Sequence, residues 1–188
     1  MSVLRAALAA LLLAGGGALA QGTPPPAAAA CGACHGEDGV SKLENIPSLA
    51  GQPAFFVMNQ LFLMREGVRK VEAMAVLVKP LKDDDLNALA KYFSSMPPKP
   101  SGEAIDPELV KRGDALATKL RCASCHLNGL VGTEQMPRLA RQRVDYLVYA
   151  MKALRDDKRP GADTIMTATL VGVSDADIRA LAHYAASR

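Results

Sequence analysis

The 188 residues contain no tryptophan, and all aromatic side chains together make up only 4%. Half of such a chain would have a thin core, because domains below about 80 residues are marginal without a staple or an enclosed apolar group. After residue 20 no apolar run approaches the ~20 residues that cross a bilayer. Charge of one sign is also missing. Residues 21–100 hold eight basic and eight acidic side chains, and residues 101–188 hold thirteen and eleven. No cluster is dense enough to follow a phosphate backbone, so nucleic acid is excluded as a partner. Alternating strand patterns do not persist beyond a few residues, which leaves an all-α reading.

The first twenty residues have the form of a secretory signal. Arg5 precedes an apolar run from Ala6 to Ala14, and small residues end in Ala18-Leu19-Ala20, with cleavage expected after Ala20. An uncleaved anchor is the competing reading, but the run is short for one. Cleavage removes only Arg5, and the formal charge falls from +3 to about +2.

Sliding the chain along itself exposes a duplication. Cys31-Gly-Ala-Cys34-His35 falls on Cys122-Ala-Ser-Cys125-His126 at an offset of 91, and Ile46-Pro47-Ser-Leu49-Ala50 falls on Met136-Pro137-Arg-Leu139-Ala140 at 90. Asp83 to Ser95 falls on Asp175 to Ser187 at 92. Two like domains are expected, 21–96 and 107–188. They are joined through 97–106, where Pro97-Pro98-Lys-Pro100-Ser-Gly102 cannot continue a helix.

Leu86, Leu89, Ala90 and Phe93 recur at i, i+3, i+4 and i+7, as do Ile178, Leu181, Ala182 and Ala185, so each half should end in a helix with one apolar face. Ser174 with Asp177 resembles a capping box for the second, and Asp83 to Asp85 suit the dipole of the first as a solvated helix start. Middle helices are expected over 53–65 and 144–155, and another over 107–120 leads into the second cysteine motif.

The two Cys-x-x-Cys-His motifs consume all four cysteines and two of the three histidines. Two thiols spaced on a helical turn add across the vinyl groups of one porphyrin, and the next residue supplies an imidazole to its iron. The motif therefore reads as covalent haem c attachment, through Cys31, Cys34 and His35 and through Cys122, Cys125 and His126. A disulfide or thioredoxin-like pair would not need either histidine, and a zinc site sharing all four cysteines would require both halves to close on one ion.

The second axial ligand follows by elimination. Bis-histidine ligation of two irons needs four histidines, and the spare, His183, aligns with Lys91 on a helix surface. Methionine remains, and its soft thioether suits haem iron and raises the potential. Among seven methionines after residue 20, only Met74 meets another in register, Met166. They lie 39 and 40 residues after their histidines, and both are expected in the loop before the terminal helix. Pro47 and Pro137 are candidates to offer the carbonyl that orients each proximal ring.

These residues resemble the di-haem cytochromes of the cytochrome c4 type, two class I cytochrome c domains in tandem. The resemblance rests on both Cys-x-x-Cys-His motifs, Ile46-Pro-Ser-Leu-Ala-Gly51-Gln52, Met74, Met166 and the Leu-Ala-x-Tyr terminal helices. It implies one haem wrapped in each domain, His/Met ligation, packing of the domains on each other, and electron transfer in the periplasm. Expected partners are redox proteins: a donor reductase or dehydrogenase, an acceptor oxidase or another cytochrome, with peripheral association to membrane respiratory complexes. Similar paired domains also form the cytochrome subunit of flavocytochrome c sulfide dehydrogenases, the alternative reading. One departure is expected. Gly113 lies nine residues before Cys122, where class I helices cross closely, whereas Pro24-Pro25-Pro26 follows Gly22 and shortens the matching helix.

Overall fold

The computed structural model describes residues 23–188, so the expected signal segment 1–20 and Gly22 lie outside the described residues. The described part is all-α, and its only strand-like pairing is an isolated bridge between Thr133 and Met136.

In the first half, α1 (Ala28–His35) starts just after the proline run, whose residues lack the N–H groups that a longer helix would need there. It is followed by α2 (Ala54–Arg65), α3 (Glu72–Val78) and α4 (Asp83–Ser95). In the second half, α5 (Pro107–Lys119) and the short α6 (Ala123–His126) precede α7 (Val144–Arg155), α8 (Thr164–Leu170) and α9 (Asp175–Ala186). The two series correspond, except that α5 has no full-length counterpart among the described residues of the first half.

Helix ends follow local chemistry. Asp106 accepts from the Glu108 and Leu109 amides and Pro107 occupies the first turn of α5, where its missing N–H costs nothing. Ser174 accepts from the Asp177 amide at α9, as its spacing predicts. At α4 the Asp85 carboxylate accepts from the Lys82 amide, and Asp83 pairs with Arg65 of α2 at 2.7 Å.

Each half has its own core. Leu86, Leu89, Ala90 and Phe93 of α4 pack with Val57, Leu61 and Met64 of α2. Ala182, Ala185 and Ala186 of α9 pack with Leu130, Ala140 and Leu147. α5 crosses α9 at Gly113, where a Cβ would lie 2.2 Å from the Ala180 carbonyl oxygen. Only glycine permits that approach, so the close crossing is present in the second half, while α1 reaches the first core chiefly through Ala28.

Residues 97–106 carry no helix or strand and run against both halves. Lys42 donates to the Ser101 carbonyl and Arg141 to the Pro98 carbonyl. Glu103 accepts from the Val144 and Asp145 amides, capping α7 with its carboxylate. The halves also meet directly, through Gln52 against Arg138 and Gln142 against Ser48.

Candidate haem sites

α1 and α6 each end in a histidine whose ring is turned inward. His35 is 6% exposed and His126 is 3% exposed. The chain must then break sharply to release them. Gly36 does so with φ 85°, and a Cβ there would meet the Val40 carbonyl oxygen at 2.4 Å. In the second half that position is Leu127, held at φ 63° and ψ 168°, a region that strains any side chain.

Each ring is oriented by one carbonyl. His35 Nδ1 donates to the Pro47 oxygen at 2.8 Å and His126 Nδ1 to the Pro137 oxygen at 2.9 Å, twelve and eleven residues along the chain. These are the acceptors that the prolines were expected to offer. Burial pushes both imidazoles below their ordinary pKa, with the carbonyl pulling the other way, so near neutral pH each ring carries one proton, on Nδ1. Nε2 is left as a lone-pair donor. His126 Nε2 is buried with no hydrogen-bond partner, a costly state unless something else accepts that lone pair.

Both rings face one cavity of about 920 Å³ that takes its walls from both halves. That is near the top of the ~300–1,000 Å³ range of small-molecule and cofactor sites. Cys31, Cys34, His35, Met74, Cys122, Cys125, His126 and Met166 all line it, so the structure brings together every residue selected from the sequence. The four thiols are free, and burial pushes those of Cys31 and Cys122 up.

Met74 and Met166 do not sit in loops, as expected, but on α3 and α8. The Met74 amide already bonds to the Val71 carbonyl, and Asp163 caps α8 by accepting from Ile165, so each segment forms about two turns of helix. Met64 and Met151 also line the cavity, whereas Met58, Met96 and Met136 do not. His183 lies away from it and accepts from the Asp106 amide.

Two arginines were missed by the sequence reading. Arg69 donates to Gln60 at 2.7 Å, and Arg159 reaches the same Gln60 oxygen from the other half at 3.1 Å. Neither has a carboxylate partner among the described residues, and burial pushes the Arg159 guanidinium down, with Arg69 adding like-charge repulsion. Two cations converging on a cavity wall call for an anion. Their register in the duplication, 90 residues apart, was the available signal.

A neutral imidazole donor with an orphaned Nε2, paired thiols three residues apart, thioethers and an apolar cavity fit a covalent iron porphyrin in each half. The uncompensated arginines fit its carboxylates.

Comparison with known proteins agrees with that chemistry. The cytochrome c family model matches residues 110–187. The chain is 36% identical over 165 residues to cytochrome c4 of Pseudomonas aeruginosa, covering 82% of this chain and 81% of the relative. It is 33% identical over 170 residues to the thiosulfate dehydrogenase electron acceptor of Thiomonas intermedia, covering 85% and 78%. The crystal structure of reduced cytochrome c4 from Pseudomonas stutzeri superposes with a TM-score of 0.75 at 36% identity, over 83% of this chain and 92% of that one.

Proposed function

The chain belongs to the di-haem cytochrome c4 family, and on that premise we propose which residues hold its haems and where it works. It is an electron-transfer cytochrome with two covalently bound haem c groups, and its partners are redox proteins. Cys31 and Cys34 anchor one haem and Cys122 and Cys125 the other. His35 with Met74, and His126 with Met166, would hold the two irons, in domains spanning 21–96 and 107–188. When bound, each haem supplies a one-electron iron couple whose potential is raised by thioether ligation.

The chain's own residues do the rest. The Pro47 and Pro137 carbonyls hold the imidazole tautomer that presents Nε2, and they raise ring basicity. Apolar walls such as Leu61, Leu89, Leu147 and Leu181 exclude water from the cavity. Arg69 and Arg159 balance the haem carboxylates where the halves meet. The observation that carries the reading is the orphaned Nε2 of a buried histidine aimed into a cavity lined by paired thiols.

Export through residues 1–20 places the protein in the periplasm. Among the described residues no helix is long and apolar enough to cross a membrane. A second reading, a cytochrome subunit that accepts electrons from a bound dehydrogenase, is favoured by the relative named as a thiosulfate dehydrogenase electron acceptor. Co-purification with a second redox subunit would support it over a free carrier.

The test joins intact mass to visible spectra. Two haem masses and the red charge-transfer band of methionine-ligated ferric haem are expected. Met74→His and Met166→His should each abolish that band for one haem and lower its potential. A band unchanged in both variants would overturn the methionine assignment.

A further inference from the structure

The carbonyl that orients each proximal histidine belongs to a peptide unit whose other end is read by the opposite half. The Pro47–Ser48 peptide accepts from His35 Nδ1 at its oxygen, while its N–H, that of Ser48, donates to Gln142 Oε1 at 2.8 Å. The Pro137–Arg138 peptide accepts from His126 Nδ1, while the Arg138 N–H donates to Gln52 Oε1 at 3.1 Å. Each glutamine closes the ring with its amide nitrogen, Gln142 Nε2 donating to the Ser48 carbonyl and Gln52 Nε2 to the Arg138 carbonyl, both at 2.8 Å. Because a backbone N–H can meet only an acceptor, this reciprocal pattern fixes the orientation of both side-chain amides.

The arrangement repeats with the duplication. Gln52 and Gln142 stand 90 residues apart, as do Ser48 and Arg138. Both glutamines are almost fully buried, at 5% and 4% exposure. A buried amide that merely glued two surfaces together could bond to any backbone group. Each of these two accepts from the N–H of the one opposite peptide whose oxygen already holds a proximal histidine and donates to the carbonyl that follows it, and Gln142 Oε1 also accepts from the Arg143 amide of its own half.

We propose that Gln52 and Gln142 are crossed positioning residues, each setting the basicity of the proximal histidine in the other half through a single shared peptide group. Accepting from the peptide N–H draws electron density toward the carbonyl oxygen, and chains of such bonds strengthen one another by roughly 10–30% per bond. A stronger acceptor gives the imidazole more imidazolate character, which favours ferric iron and lowers the potential. Docking of the halves therefore tunes both irons, and each half carries the tuning group for its partner. The inference rests on the reading above that His35 and His126 ligate iron.

The test compares reduced, haem-loaded, ¹⁵N-labelled wild type with Gln142→Leu and Gln52→Leu. NMR reads the two Nδ1–H protons, and potentiometric titration reads both haems. Gln142→Leu should move the His35 proton upfield and raise the potential of the haem on His35, leaving the His126 proton in place. Gln52→Leu should do the reverse. Gln142→Glu, which keeps an acceptor for the Ser48 amide, should hold the His35 proton at or downfield of its wild-type position. It also keeps the test open should the leucine variant fail to fold. Shifts confined to the histidine of the substituted half, equal shifts of both histidines in each variant, or no shift would overturn the proposal. If wild type itself shows no porphyrin-shifted ring signals from His35 and His126, the ligand assignment fails instead, and the tuning role falls with it.

Discussion

Replacing Gly113 by alanine should destabilise the second half by about 2 kcal/mol, as the net of two opposing effects. The added Cβ would stand 2.2 Å from the Ala180 carbonyl oxygen and 2.6 Å from Tyr184 Cβ. Both neighbours belong to α9, and the nearer one is backbone, so no flexible side chain can swing aside. Restoring ordinary contact at 3.4 Å requires α5 and α9 to part by about 1.2 Å, or to slide, along their whole crossing. Overpacking of this kind costs about 1–3 kcal/mol, and the backbone contact places it at the upper end. Alanine's better helix propensity returns about 1 kcal/mol. For a domain of this size the net loss should lower the melting temperature by about 8–16 °C. Guanidinium and thermal unfolding, followed by far-ultraviolet circular dichroism on haem-loaded protein, measure it. The exposed Ala115→Gly on the same helix serves as a scale, since it should cost only about 1 kcal/mol of propensity. A Gly113→Ala protein as stable as wild type, or more stable, would refute the close-crossing argument.

Two further outcomes follow from local chemistry. Asp106→Ala removes the acceptor for the Glu108 and Leu109 amides at the start of α5 and should cost about 1 kcal/mol in the same unfolding assay. Asp145 tests the electrostatics of the junction. Burial acts to raise its carboxyl, but the Arg143 guanidinium at 2.6 Å and the Asn45 and Tyr146 backbone amides outweigh that and hold it below the usual carboxylate range. A carboxyl depressed in the folded state contributes stability above its unfolded value near 4, and that contribution is lost as pH falls through the folded value. Stability of wild type should therefore drop below about pH 4, and Asp145→Asn should flatten that part of the profile. An unchanged acid limb in the variant would refute the assignment.

The haem motifs, the duplication and the terminal helices were legible because each is local. Two cysteines and a histidine within five residues carry the attachment chemistry whatever the rest of the chain does. Likewise, the apolar faces of α4 and α9 follow from 3.6-residue periodicity. The helical state of Met74 and Met166 was not legible. Their segments are only seven residues long, too short for periodicity to register, and hydrogen bonds at their starts decided the matter. Gly113 showed its purpose in the sequence only through its spacing from Cys122, whereas its 2.2 Å clearance became visible once α9 lay across it.

By itself the amino-acid order determined the chemistry: a duplicated all-α chain with two covalent haem attachments and a methionine in register with each. Tertiary structure alone decided how the halves address each other. Gln52 reads a peptide 86 residues away, Gln142 one 94 residues away, and Arg69 and Arg159 converge on a single glutamine. No short-range pattern encodes such pairings, because they arise only when two separately folded cores bury their surfaces together and every polar group caught between them must find a partner.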